Sequence, residues 1–138
     1  LRCHFKMSED EIKERVADSL RLVGMLGSEE KQTHELSYGM KKRVSLARTV
    51  ALRPKILLFD EPTTGLDPIS TSRVNELILN LSKELGTTSV VVSHDMKSAL
   101  TVGDYIIVLD KGYLLTQGSV DEIRKSDIPL IKDFLSEM

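Results

Sequence analysis

Apolar residues in this chain follow two rhythms, a helical one and a run-like one, and their alternation predicts the elements. From Ser8 to Gly24 they recur at helical spacing through Ile12, Val16, Leu20 and Val23. Ser8 and Glu11 form a capping box, and Gly24 offers a C-cap, so a packing helix without chemistry is expected here. Gly27 to His34 reads as a polar connector. A second helix opens at Ser37, a good N-cap, and Val44, Leu46, Ala47, Val50 and Ala51 carry it until Arg53-Pro54 stops it. A third follows Asp67-Pro68, an N-cap with proline at the first helical position, and presents Val74, Leu77, Ile78, Leu81 and Leu85 on one face up to Gly86.

The run-like segments lie between these helices. Ile56 to Phe59 are four consecutive apolar residues bounded by Pro54 and by two carboxylates, which predicts a short strand buried on both faces. Thr88 to Ser93 is a β-branched run, expected to be a second buried strand. Tyr105 to Leu109 and Tyr113 to Gln117 flank Asp110-Lys111-Gly112, a hairpin turn with glycine where positive φ is needed. Ser119 and Glu122 box a short helix, and Asp127-Ile-Pro129 starts a last amphipathic one with Leu130, Ile131, Phe134 and Leu135. The expected class is α/β.

In an open α/β sheet, ligands bind at the C-terminal ends of the strands. Asp60 and Glu61 leave the first strand at that end, and His94 leaves the second. Two acids there suit a metal ion and a water, and the plain alternative is a strand exit with solvated carboxylates. A histidine from a neighbouring strand at the same edge favours the catalytic reading. The helix start at Ser37 and Gly39 presents free backbone N–H groups and a positive dipole end, which suits a phosphate. A capped helix with a basic exposed face would look the same.

Composition narrows the classes. The 138 residues make one domain of ordinary size, and a net charge of −2 gives no reason to expect a nucleic-acid surface. One cysteine, Cys3, rules out an internal disulfide, and Cys3 with His4 is too little for a metal site. No apolar run exceeds five residues, so no stretch reads as a membrane span or a signal peptide. The chain begins with Leu1, so it is expected to be the C-terminal part of something longer.

The order of these motifs resembles that of the ATP-binding-cassette (ABC) ATPases. Leu36-Ser37-Tyr38-Gly39-Met40 stands where that family has its Leu-Ser-Gly-Gly-Gln signature, and Ile56 to Asp60 matches Walker B, with Glu61 as the adjoining acid. Gly65-Leu66-Asp67 corresponds to the D-loop and Ser93-His94-Asp95 to the switch histidine. Tyr38 and Met40 depart from the pattern, whereas Ser37 and Gly39 keep it. The implied fold is the C-terminal half of a P-loop NTPase (RecA-like) core preceded by the ABC helical subdomain. The implied boundaries are residues 1–53 for the helical subdomain with the signature, 54–118 for the Walker B, D-loop and switch-histidine core, and 119–138 for C-terminal helices.

No glycine is followed by lysine, so the phosphate-wrapping Walker A loop is expected upstream of Leu1 or missing. The resemblance implies ATP and Mg²⁺ as cofactors and phosphoryl transfer to water as the reaction. Asp60 would hold Mg²⁺ through a water, Glu61 would orient the attacking water, and His94 would contact the γ-phosphate. Asp67 would order the dimer interface beside the nucleotide. Ser37 and Gly39 would bind the γ-phosphate held by a second ABC ATPase subunit docked head to tail. A transmembrane permease is the other implied partner, with the ATPase cytoplasmic and peripheral on the inner face of the cell membrane.

Met40, the Thr63 to Ile69 segment, Val92 to Met96 and the tail from Ser126 to Leu135 are similar to the ATPases of Mla/Mce-type lipid transport systems, which implies a phospholipid or sterol cargo. Importers of amino acids or osmolytes share most of the same core and are the alternative. A soluble ABC protein acting on ribosomes or DNA is disfavoured, because such chains carry paired cassettes or long insertions. A non-enzymatic remnant would keep the fold without binding nucleotide. The fragment by itself is expected to be inactive.

Overall fold

The structure is a computed structural model that describes residues 1 and 5–136. Cys3 and His4 lie outside the described residues. The chain divides into two compact units, one of residues Leu1–Leu57 with Asn80–Ser89, the other of Leu58–Leu79 with Val90–Met138.

In the first unit, α1 (Glu9–Leu22) opens with the Ser8/Glu11 capping box. Its end is a Schellman turn, with the Gly24 N–H donating to Arg21 O, the Met25 N–H donating to Leu20 O, and Gly24 at φ 65°. A 3-10 turn, Thr33–Glu35, closes the polar connector. The second helix, α2 (Tyr38–Val50), is capped by Ser37 and packs against α1. Leu20, Val23, Ala47, Val50, Leu57 and Leu81 are buried in this unit.

β1 (Ile56–Asp60) and β2 (Thr88–Val92) pair as a two-stranded sheet joined by α3 (Pro68–Leu85). Thr88 N–H donates to Lys55 O and Glu61 N–H donates to Val92 O, so the two strands run the same way. The expectation that β1 is buried on both faces is wrong, and so is the expectation that β2 is a buried strand. In β1, Leu57 and Phe59 are buried, but Ile56 and Leu58 are 60% and 74% exposed, and in β2 Val90 and Val92 are half exposed. Strand side chains alternate between faces, so covering one face leaves every second residue open. Among the described residues nothing covers the other face of these strands.

The second unit adds α4 (Met96–Val102), which the apolar pattern did not suggest, and the hairpin of β3 (Tyr105–Asp110) and β4 (Tyr113–Ser119). Asp110 pairs with Tyr113 across Lys111 and Gly112, whose φ values of 49° and 82° fit a type I′ turn. A bulge follows Val108, where the register jumps from Thr116 to Leu114. The last elements are α5 (Val120–Arg124), with the Ser119/Glu122 capping box, and α6 (Pro129–Ser136). Leu100, Ile106, Ile123 and Ile131 form this unit's core, flanked by Met96, Val108, Leu115, Val120, Ile128 and Leu135.

The alternation on β3 can be tested with neighbouring isoleucines, because Ile106 is 8% exposed and Ile107 is 59% exposed. Ile106→Ala should destabilise the chain by about 2–4 kcal/mol. Ile107→Ala should cost less than about 1 kcal/mol. Urea unfolding of the two variants reads the difference, and equal costs would contradict this assignment of faces.

Candidate functional site

Within the second unit the strand ends bring Glu61 and His94 together. His94 Nδ1 lies 2.9 Å from Glu61 Oε2, and the His94 backbone N–H donates to Glu61 Oε1 at 3.0 Å. The Thr64 hydroxyl adds a third contact, donating to Oε2 at 2.9 Å. A carboxylate has about four lone-pair positions. Among the described residues three are occupied, which leaves one on Oε1 for a further donor such as water.

Glu61 has φ 47°, a left-handed conformation that is uncommon outside glycine. The strain persists because the surroundings over-determine it. Its N–H is held by Val92 O at 2.9 Å, its carbonyl accepts from the Thr64 N–H at 3.3 Å, and its side chain is clamped as above. Such outliers concentrate at functional positions, and no local sequence signal announces this one.

The contacts also set the charges. The His94 side-chain hydrogen bond, then the Thr64 hydroxyl, hold the Glu61 carboxyl below the usual carboxylate range. The Glu61 hydrogen bond and charge raise the His94 imidazole above its ordinary value. Nδ1 therefore carries a proton toward Glu61, and Nε2 is left to face outward from a side chain that is 76% exposed.

Asp60 is the last residue of β1 and is exposed. Among the described residues no group of three or more His, Cys, Asp or Glu could hold a metal by itself. A single carboxylate still fits Mg²⁺, a hard cation that keeps several waters and takes its remaining ligands from substrate phosphates. Asp67 serves α3 as N-cap. Its Oδ1 accepts from the Ser70 N–H at 3.0 Å, and its Oδ2 accepts from the Ser70 hydroxyl at 2.6 Å. These bonds hold its carboxyl below the usual range.

Ser37 and Gly39 belong to the first unit. Ser37 Oγ accepts from the Met40 N–H at 3.3 Å, and Gly39 is in the first turn of α2 with open space where a Cβ would project. Tyr38 is 61% exposed, and the Lys42 ammonium sits 5.4 Å from its ring centroid. Tyr38 takes no positive φ, so the helix start does not require glycine at that position.

Sequence reasoning missed Thr64 as a partner of Glu61, and it missed the Asp95 cap of α4. Asp95 Oδ1 accepts from the Lys97 and Ser98 N–H groups at 3.0 and 3.3 Å. An acid directly before Met96 and its short helix was the available signal.

The pair makes a pH prediction. Its ionic stabilisation is complete only between the ordinary values of the two groups, 4.5 for Glu61 and 6.5 for His94. It fades as pH falls through the lowered Glu61 value, and again as pH rises through the raised His94 value. In an NMR titration of the imidazole, Glu61→Gln should bring the His94 pKa down toward 6.5. A His94 pKa that does not move would mean that the contact is absent in solution.

Known proteins resemble this chain in sequence and fold. Residues 1–64 match the family described as ABC transporter. The chain is 39% identical over 136 residues to the "probable ribonucleotide transport ATP-binding protein mkl" of Mycobacterium leprae, an alignment that covers 99% of this chain and 39% of that protein. It is 38% identical over 120 residues to the energy-coupling factor transporter ATP-binding protein EcfA3 of Clostridium perfringens, which covers 87% of this chain and 42% of that one. The solved structure of cbiO1 from Clostridium perfringens, part of the ABC transporter complex cbiONQ, superposes with a TM-score of 0.82 at 36% identity, covering 99% of this chain and 58% of that one. The chain thus spans about two fifths of the length of these curated relatives. Residues 1–64 thus match the family described as ABC transporter, and the chain has the fold of part of an ABC ATPase cassette.

Proposed function

We propose that this chain is the signature-to-switch portion of an ABC ATPase, and that the complete protein hydrolyses ATP to drive a membrane permease. The observation that supports this most is the Glu61–His94 pair, held at adjacent strand ends on a strained backbone. In hydrolysis, water attacks the γ-phosphorus, the bond to the β-phosphate oxygen breaks, and ADP and phosphate leave. Glu61, kept ionised by its neighbours, would accept a hydrogen bond from that water at the open position on Oε1. His94, with Nδ1 satisfied by Glu61, would offer Nε2 to the γ-phosphate, and its raised pKa favours the doubly protonated form that can donate there. Bound Mg²⁺ would neutralise charge developing on the phosphates, with Asp60 as its protein-side carboxylate.

Ser37 and Gly39 would supply a helix N-terminus to the γ-phosphate held by a second cassette, and Asp67 would order the junction between the two subunits. Among the described residues no helix is long and apolar enough to cross a membrane. An ATPase docked on a permease at the cytoplasmic face fits that, with the permease supplying the spans.

For the cargo we infer lipid, from the Mla/Mce-like character of Met40, Thr63 to Ile69 and the tail. The names of the relatives carry a second reading, ribonucleotide transport or an energy-coupling factor system. Transport assays with the permease subunits and radiolabelled phospholipid or nucleotide discriminate the two.

Glu61→Gln in the complete protein should leave ATP binding intact and lower hydrolysis by roughly 10² or more, since the lost group acts in the transition state. Normal hydrolysis by that variant would falsify the assignment of Glu61. Residues 1–138 alone contain no Gly-Lys pair to open a phosphate loop and should show no measurable ATP turnover in a phosphate-release assay.

A further inference from the structure

Two buried polar residues in the second unit form a connection that helix packing does not require. Asn75 on α3 is 6% exposed and Ser98 on α4 is 3% exposed. Burying an amide and a hydroxyl is unfavourable unless each finds a partner. Asn75 Nδ2 donates to Ser98 Oγ at 3.0 Å, and the Ser98 hydroxyl donates onward to Asp95 Oδ2 at 2.6 Å. Capping of α4 uses Asp95 Oδ1 alone, so the bond to Oδ2 does something further: it fixes the rotation of the carboxylate. The Asp95 N–H in turn donates to Ser93 Oγ at 3.1 Å. Both neighbours of His94 are therefore tied down, and His94 then reaches Glu61 with its backbone N–H and its Nδ1.

We propose that Asn75 and Ser98 are positioning residues, which by fixing Asp95 hold the turn from Ser93 to Asp95 so that His94 meets Glu61. The proposal rests on the reading of Glu61 and His94 as the water-orienting pair. A serine hydroxyl suits the middle place because it accepts from Asn75 and donates to Asp95 with one atom. An alanine would break both links and leave the Asn75 amide buried without a partner.

Asn75→Leu combined with Ser98→Ala removes both polar groups together, which can be nearly neutral for stability. In that double variant the melting temperature should stay close to that of the wild type, while the His94 amide exchanges with deuterium about tenfold faster. The ¹⁵N shift of His94 Nδ1 should move away from its Glu61-bound value. Should the double variant fold poorly, Asn75→Asp is isosteric and sets two carboxylates competing for the single Ser98 proton, with the same expected effect on His94. Ser98→Thr keeps the hydroxyl and should restore wild-type exchange. In the complete cassette the double variant should lower kcat with little change in KM for ATP. Normal hydrolysis by Glu61→Gln would remove the catalytic reading without touching the exchange result. Unchanged His94 exchange and Nδ1 shift in a stably folded double variant or Asn75→Asp variant would overturn the positioning role.

Discussion

The candidate site depends on one backbone hydrogen bond, from the Glu61 N–H at the exit of β1 to Val92 O at the exit of β2. It fixes Glu61 at positive φ, a conformation that costs an L-residue about 1–2 kcal/mol. The same bond turns the side chain of Glu61 toward His94, two residues beyond β2. A histidine 33 positions away in sequence thereby comes within hydrogen-bonding reach. Parallel pairing is what makes this possible, because the C-terminal ends of two parallel strands lie side by side. An antiparallel partner would have delivered its N-terminal end there instead.

What was legible in the sequence was local. The Ser8/Glu11 and Ser119/Glu122 boxes, the Asp67-Pro68 helix start and the Lys111-Gly112 turn formed where their residues placed them, because each is a transaction among four or five neighbours. The capping box at Ser119 needs nothing beyond Glu122, whose carboxylate accepts from the Ser119 N–H at 2.8 Å. The short helix α4 escaped notice because seven residues show too little periodicity, although its Asp95 cap was present in the sequence.

What was not legible depends on the layers around an element. Ile56, Leu58, Val90 and Val92 are the composition of a face meant to be covered, and within the described residues that face is open. An apolar run reports what a strand is suited to, and burial additionally requires a second layer of chain. The positive φ of Glu61 belongs to the same class, because it is imposed by β2 and by Thr64 and has no counterpart in the propensity of glutamate.

Ser37 shows how a structural role and a proposed chemical role can share one hydroxyl. As N-cap its oxygen accepts from the Met40 N–H, and at 3.3 Å that bond is at the long end of the range. Accepting does not consume its proton. A phosphate oxygen needs a donor, so the O–H of Ser37 can turn to it while the cap stays in place. Tyr38 does not obstruct this through its backbone, which is helical, and its exposed ring is occupied with the Lys42 ammonium. The glycine found at this position in the family's signature is therefore not demanded by the fold of the helix start, and in the proposed head-to-tail dimer any cost of the tyrosine would arise from its bulk against the second subunit.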